Sequence, residues 1–297
     1  MPQKDRISFY EQISRNKWKS FFLIIIVFAV LILLSYVIGL IFSEYFFIIL
    51  IFGIIITISY ILISYYNSDK IALASAGAKP ADMREYRQYY NSVEALTLAS
   101  GLPMPKLYIM ENNQINAFAS GRDPKHAVIC VTKGALEKLN KQELEGVLSH
   151  ELSHIANFDI RFMTLTAVMV GLIAIISQLF LRSLFYGGGN RNREGKGNAI
   201  LLVVGIALAI LAPIMVQLVQ LAISRKREFM ADASAVKFMR SPTGLIGALK
   251  KIKTDSERMK VSGAIAPLFI SNPLKKASGL FQTHPAIEKR IEVLSRM

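Results

Sequence analysis

Two long apolar runs stand out near the amino terminus of the chain. They cover Phe21–Phe42 and Tyr45–Tyr66, and only Ser43 and Glu44 separate them. Each run reaches the ~20 apolar residues that a helix needs to cross a bilayer, so together they predict a transmembrane hairpin. Basic residues precede the first run as in a signal peptide, but the run is too long for a signal-peptide core and a second span follows at once. The pattern therefore predicts an uncleaved anchor.

Two weaker apolar blocks follow later in the chain, at Met163–Phe185 and Ala199–Ser224. Pro213 lies inside the second of them, which a membrane helix tolerates with a kink. Polar side chains interrupt both blocks: Gln178, Arg182, Gln217 and Gln220. The lengths predict a third and a fourth transmembrane helix, and buried core helices of a large soluble domain are the alternative.

The distribution of Lys and Arg predicts which side of the membrane each segment occupies. Of the 35 such residues, the amino-terminal tail carries five, residues 67–162 carry eleven and residues 225–297 carry fifteen. Cytoplasmic segments are enriched in these residues, so all three segments are expected in the cytoplasm and the loop 187–198 outside. That loop is itself basic, which runs against the rule and leaves open whether spans three and four cross fully.

This topology also accounts for the net charge of +14. The sequence lacks the interleaved aromatic and basic residues of single-stranded nucleic-acid binders. The single cysteine, Cys130, can form neither an intrachain disulfide nor a zinc site of several cysteines. The composition therefore predicts a lipid bilayer as partner, and no nucleic acid.

A candidate zinc site lies in the pattern H-E-x-x-H at His150–His154. Asn140 and Glu143 form a capping-box pattern just before it, which predicts a helix. Residues four apart on a helix share a face, so His150 and His154 can bind one metal ion. Glu151, one step round the helix, can take a proton from an attacking water and pass it to the leaving amine.

A catalytic zinc needs a third protein ligand. Glu228 is the best carboxylate candidate, and Asp232 follows it by four residues on a predicted helix. This spacing lets one of them bind the metal while the other accepts the free ring N–H of a ligand histidine. A solvated charge on a helix beside the membrane is the alternative for Glu228.

Taken together, these motifs resemble the HtpX family of bacterial membrane metalloproteases, relatives of the type I CAAX prenyl proteases. The resemblance rests on His150–His154 with Asn157 and Asp159 behind it, on the two apolar blocks that follow, and on Arg227–Asp232. It implies one zinc ion per subunit, held by His150, His154 and Glu228. It implies Asp232 and Asn157 as the residues that support the ligands, and a role in degrading damaged membrane proteins under stress, at the inner membrane.

The segment Asn116–Ala119 resembles the strand that this family places beside its active site. Its residues are Asn116, Ala117, Phe118 and Ala119, and short strands are predicted at Lys106–Met110, Ala117–Ser120 and Ala127–Thr132. A substrate peptide could add to the edge of such a sheet through backbone hydrogen bonds. A purely structural strand is the alternative.

The carboxy-terminal segment Thr283–Arg290 also resembles the family, in which a histidine and an arginine lie near the reacting carbonyl. This implies His284 and Arg290 as catalytic groups that stabilise the oxyanion. Ala286 stands where the family usually has a second proline, and a plain helix-capping role is the alternative for His284. Lys260–Gln282 is predicted to be a long loop, with a role as a substrate gate.

The sequence thus predicts a mainly α-helical, polytopic membrane protein with about four transmembrane helices and a cytoplasmic zinc-metalloprotease domain with a small β-sheet. The predicted segments are a tail (1–20), a hairpin (21–66), a protease part (67–162), a second hairpin (163–224) and a second protease part (225–297). The predicted function is zinc endopeptidase hydrolysis of damaged or misfolded membrane proteins at the cytoplasmic face. A CAAX-type prenyl-peptide protease and an inactive membrane scaffold are the alternatives.

Overall fold

The computed structural model describes residues 9–41, 43–169, 171, 225–255, 259, 261–262, 265–273 and 285–297. The predictions for the loop 187–198, the fourth apolar block and His284 fall outside these residues, as does most of the third block. The described part is mainly helical with one small mixed sheet, which confirms the predicted class. Four membrane spans are not confirmed, because two candidate spans lie within the described residues.

The amino-terminal helices α1 (Phe9–Ile41) and α2 (Phe46–Tyr66) form a helical hairpin joined by a 3-10 turn at Ser43–Tyr45. Each contains a stretch long and apolar enough to cross a membrane, at Ile13–Leu33 and Phe46–Tyr66. Large apolar side chains cover their outer surfaces; Phe47 is 75% exposed and Ile56 65%. Such a continuous exposed apolar surface is unfavourable in water and suits a lipid environment.

One face of α1 is buried. The α1 stripe consists of Asn16, Ser20, Leu23 and Val27, spaced by four, three and four residues. This spacing puts all four side chains on one side of the helix. The apolar members pack against helix α7 (residues 159–169), mainly on Phe162, Leu165 and Met169. The first apolar helix is therefore joined to the rest of the protein through α7.

A four-stranded sheet lies on the other side of the core. Its strands are β1 (Lys79–Pro80), β2 (Lys106–Met110), β3 (Ala117–Gly121) and β4 (Ala127–Thr132), in the order β1-β2-β4-β3. Strands β2 and β4 are parallel and the other pairs antiparallel. The three predicted strands are confirmed, and β3 lies at the edge of the sheet.

Helix α6 (Lys141–Ala156) packs between the sheet and the carboxy-terminal helices. The other helices of the described part are α3 (Ser68–Ala76), α4 (Arg87–Ser100), α5 (Lys133–Lys138), α8 (Arg225–Met239), α9 (Thr243–Thr254) and α10 (Ile287–Leu294), with 3-10 turns at Pro124–His126 and Ala266–Leu268. The two predicted protease parts therefore share one core.

The start of α6 is set by the predicted capping box. Asn140 accepts a hydrogen bond from the Glu143 N–H at 2.9 Å, and the Glu143 carboxylate accepts one from the Asn140 N–H at 2.8 Å. Further along, α6 touches α9 backbone to backbone, since a Cβ on Gly146 would lie 2.4 Å from the Leu245 nitrogen. The cap and this close approach fix α6, which carries the H-E-x-x-H pattern.

Candidate active site

The two histidines of α6 lie side by side in the protein interior. His150 is fully buried and His154 is 5% exposed. Their rings are nearly perpendicular, and their Nε2 atoms are 3.2 Å apart. Two nitrogens bound to one zinc ion at ~2.0–2.1 Å in tetrahedral geometry would be separated by roughly 3.3 Å. The spacing of the pair therefore fits a shared metal ion.

Glu228 of α8 completes this group. Its Oε2 lies 3.6 Å from His150 Nε2 and its Oε1 lies 3.6 Å from His154 Nε2. The candidate ligand atoms of the three residues all lie within 4.8 Å of one another. Two imidazole nitrogens and a carboxylate oxygen, all buried, are a donor set that zinc takes in catalytic sites. The residues present therefore fit the metal.

Behind His150 lies a charged network. Its Nδ1 is 2.9 Å from Asp232 Oδ1, and Arg290 of α10 donates to both oxygens of Asp232, at 2.9 and 2.6 Å. Although burial raises it, Arg290 and His150 lower the pKa of Asp232 to about 2. The pKa of His150 is lowered by burial and by Arg290, but hydrogen bonds to Asp232 and Glu228 raise it to about 9. Metal binding at this ring therefore displaces a proton.

Arg290 is the cation of this network. It is fully buried, and its remaining nitrogen donates to the Ile270 carbonyl oxygen at 3.2 Å and lies 3.7 Å from Glu228 Oε2. Its guanidinium is bound to Asp232 by two hydrogen bonds, and its Nη2 also lies 3.4 Å from His150 Nδ1. The oxyanion role expected for Arg290 stays a proposal.

Behind His154 lies a different carboxylate. His154 Nδ1 is 3.1 Å from Asp159 Oδ2. Asp159 Oδ1 accepts a hydrogen bond from Asn16 Nδ2 at 2.7 Å and lies 3.7 Å from Arg227 Nε. The sequence placed Asn157 in this role, but Asn157 contributes its backbone carbonyl oxygen to Asn16 instead. Sequence reasoning noted Asp159 without assigning it, and missed Asn16.

Glu151 has the surroundings of a general base. It is 1% exposed, and within the described part of the chain neither carboxylate oxygen has a hydrogen-bond partner of normal geometry, although the Ala119 backbone N–H lies close enough to lower the pKa of the carboxyl. Burial raises the pKa of the Glu151 carboxyl, against the lowering effect of His150 and His154. A buried carboxylate with unused acceptor sites beside two candidate metal ligands can accept a proton from water.

The edge of β3 is covered by the chain itself. The Ala117 carbonyl oxygen accepts a hydrogen bond from the Ile270 N–H at 2.9 Å, and Phe118 pairs antiparallel with Phe269, the ring centroids 4.9 Å apart. The Asn116 amide holds Ser271 by two hydrogen bonds, of 2.9 and 3.3 Å. The covering segment, Phe269–Ser271, therefore occupies the part of the edge that the sequence assigned to substrate.

The sequence has recognisable relatives. The family described as peptidase family M48 matches residues 83–297. The chain is 50% identical over 239 residues to a protein called "Protease HtpX homolog" from Thermoanaerobacter pseudethanolicus, covering 79% of this chain and 80% of that protein. Proteins with the same description from Dictyoglomus thermophilum and Listeria monocytogenes serotype 4a are 43% and 40% identical. These alignments cover 98% and 97% of this chain, and 95% and 99% of those proteins.

Among solved structures, the crystal structure of S. mikatae Ste24p is similar, with a TM-score of 0.47 and 18% identity. The match covers 88% of this chain and 61% of that one.

Proposed function

This chain belongs to peptidase family M48, with HtpX proteases as close relatives, and from that premise we propose that it is a zinc endopeptidase acting on damaged or misfolded membrane proteins at the cytoplasmic face. That it is a membrane metalloprotease follows from the family and these relatives. The choice of zinc, the substrates and the orientation are the proposal. The observation that carries it is the convergence of His150, His154 and Glu228 beside the buried carboxylate of Glu151.

The proposed chemistry is peptide-bond hydrolysis. Zinc held by His150, His154 and Glu228 would supply a Lewis acid that polarises the scissile carbonyl and acidifies water. Glu151 accepts the proton of the attacking water on its carboxylate and returns it to the nitrogen of the leaving amine. Burial suits both transfers, because it raises the affinity of Glu151 for a proton.

Two carboxylates orient the ligands in this scheme. Asp232 and Asp159 each accept a hydrogen bond from the Nδ1 of one histidine, which leaves both Nε2 atoms directed at the metal. Carboxylates in this position fix the ring tautomer and make the ligand more basic. Arg290 keeps Asp232 ionised, so that it remains an acceptor.

The proposed position is at the membrane surface. Helix α6 is followed at once by α7, which packs on the apolar α1. Basic side chains lie at the end of the hairpin where α1 begins and α2 ends. Arg122 donates to the Tyr66 carbonyl oxygen at 3.1 Å, and Lys17 lies over the Phe158 ring. Basic residues at one end of apolar helices support a cytoplasmic location for that end. Loops of membrane proteins close to the bilayer are the substrates that such a site can reach.

The covering segment bears on how substrate enters. A peptide that adds to β3 as an extra strand needs the carbonyl oxygen of Ala117, which Ile270 now uses. Binding along this half of the edge therefore requires the segment Phe269–Ser271 to leave. The assignment of Asn116, Ala117, Phe118 and Ala119 to substrate binding stays a proposal, with displacement of this segment as its condition.

The test is metal analysis combined with proteolysis. Full-length protein in detergent is analysed for bound metal and incubated with an unfolded test protein and with a destabilised membrane protein. We expect one zinc per chain, cleavage of both substrates, and loss of cleavage with a chelator that is restored by zinc. A preparation that binds one zinc and cleaves neither substrate would favour an inactive scaffold.

A further inference from the structure

A buried amide on the first apolar helix contacts the support of His154. Asn16 is 4% exposed and lies at the start of the candidate span Ile13–Leu33. Its Nδ2 donates to Asp159 Oδ1 at 2.7 Å and to the Asn157 carbonyl oxygen at 3.0 Å. The Asp159 side chain therefore links α1 to the ring of His154.

The turn that Asn16 holds is strained. Phe158, between α6 and α7, has a φ of 57°, which is unfavourable for a bulky side chain. This turn redirects the chain out of α6 and brings Asp159 behind His154. Residues in such conformations persist only where neighbouring contacts hold them. Asn16 donates one hydrogen bond to the Asn157 carbonyl oxygen in the turn and one to the Asp159 carboxylate. It therefore holds the turn and the carboxylate in place together.

The chemistry of an amide suits this position. Asn16 donates hydrogen bonds but carries no charge, and it lies closer to Asp159 Oδ1, at 2.7 Å, than the nearby cation Arg227, whose Nε is 3.7 Å away. The carboxylate keeps its other oxygen for the Nδ1–H of His154. The α1 stripe holds Asn16 in place, because Leu23 and Val27 pack on α7 two to three turns further along.

We propose that Asn16 is a positioning residue for His154: acting through Asp159, it sets the orientation of this ring for metal binding. Seating of the amino-terminal helix against α7 is then part of the metal site, and α1 does more than anchor the chain. The inference rests on the proposed function in one respect, that His154 is a metal ligand.

The experiment measures zinc affinity of the full-length protein in detergent, by competition with a chelator of known affinity. The variants are Asn16→Ala and Asn16→Leu. Leucine keeps the branched shape of the side chain and replaces its polar groups with methyl groups, while alanine removes them without adding bulk. The two variants together therefore separate the hydrogen bonds from packing. Losing a partner of a metal ligand typically weakens binding ~10–100-fold. Since Asn16 lies one step further out, we expect both variants to bind zinc about tenfold more weakly, at the low end of that range.

The matched control is Ser20→Ala, one turn along the same stripe. The Ser20 hydroxyl donates to the Asn16 carbonyl oxygen of its own helix and has no contact with Asp159, so this variant should bind zinc like the parent. Thermal unfolding followed by circular dichroism shows which variants are folded. Parental zinc affinity in a folded Asn16→Leu variant would overturn the proposal, since packing alone would then suffice.

A double variant tests the route. If Asn16 acts through Asp159, then Asn16→Ala combined with Asp159→Ala should bind zinc no more weakly than Asp159→Ala alone. Multiplied losses would mean that Asn16 acts by another route and would contradict the proposal. His154→Ala is measured separately: if it keeps parental zinc affinity, the metal site itself is misassigned, and that result is distinguishable from a failure at Asn16.

Discussion

His150 and His154 lie one turn apart on α6 and direct the same ring nitrogen, Nε2, toward Glu228, yet they are supported in different ways. His150 is held by Asp232, which is bound by the guanidinium of Arg290 through two hydrogen bonds. His154 is held by Asp159, whose partner at hydrogen-bond distance is the neutral amide of Asn16, with Arg227 Nε further away at 3.7 Å. The first support lies within the carboxy-terminal helices, and the second reaches into an apolar helix suited to the membrane.

The candidate metal site therefore depends on two structural units. The ion pair behind His150 is self-contained, because Asp232 belongs to α8, which packs on α6, and Arg290 belongs to α10, which packs on α8 and α9. The support of His154 depends on how α1 packs against α7. A change in how α1 packs against α7 is therefore expected to shift the position of His154 before that of His150.

The largest effect is expected from Glu151→Gln, which leaves the supports of both histidines intact. Glu151→Gln should lower cleavage of an unfolded protein by ~10²–10⁴-fold, the contribution of a general base, while zinc content stays at the parental level. Cleavage rate and bound zinc are measured on the same preparation. Parental cleavage by the folded variant would contradict the assignment of Glu151.

Removing the proposed carboxylate ligand, which lies 3.6 Å from both histidines, comes next. Glu228→Ala should lose zinc during purification, whereas Asp232→Ala and Asp159→Ala should each bind it ~10–100-fold more weakly. Bound zinc is measured by elemental analysis, and affinity by chelator competition. Full zinc in Glu228→Ala, with zinc lost from Asp232→Ala, would mean that the two acidic residues of α8 have exchanged roles.

The two supports are expected to contribute different amounts to the free energy of unfolding. Arg290→Met removes the cation paired with the buried Asp232 and is expected to lower the free energy of unfolding by ~3–5 kcal/mol. Asn16→Leu leaves a buried acceptor without its donor, a smaller loss of ~1–3 kcal/mol. Denaturant unfolding of the metal-free proteins measures both. Equal losses would show that Arg290 and Asn16 contribute alike to stability.

A change in packing alone should affect zinc least. Leu23→Ala removes apolar contact between α1 and α7 without touching Asn16 or Asp159. It should lower the melting temperature, and weaken zinc binding by less than the ~10-fold that marks loss of a ligand's partner. A loss of zinc affinity as large as that of Asp159→Ala would mean that the whole contact between α1 and α7, and not one hydrogen bond, positions His154.

The role of the covering segment can be tested by whether the cleavage rate rises or falls when the segment is loosened. Arg290 links the support of His150 to this segment through the Ile270 carbonyl oxygen. Phe269→Ala should loosen the segment from β3, and so raise the rate of peptide cleavage with zinc affinity unchanged. A lower rate in a folded variant would indicate that the segment is a permanent part of the sheet and that substrate binds elsewhere.

Much of this site could be predicted from local patterns. His150, Glu151 and His154 belong to one helix whose cap and spacing stand in the sequence, and Glu228 and Asp232 have the same four-residue spacing. The strand segments could be predicted from their short β-branched and aromatic runs. Asp159 carried a signal as an acidic residue shortly after His154, but nothing local decides between its carboxylate and the side chain of Asn157.

Other features needed the packed structure. Asn16 is 143 residues from Asp159, and by itself it is one polar residue at the start of an apolar helix. Arg290 matched a family motif, but its commitment to Asp232 depends on how α10 packs near α8. The cover on β3 joins segments about 150 residues apart, within a region whose sequence predicts only a loop.

Periodicity or spacing within a few turns is enough to predict the apolar anchor helices, the short strands and the pair of histidines with their glutamate. The carboxylate behind each histidine, the group that holds that carboxylate, and the segment that covers the edge of β3 depend on tertiary packing. A buried polar group must find a partner wherever packing brings one. Distance along the chain does not limit that choice.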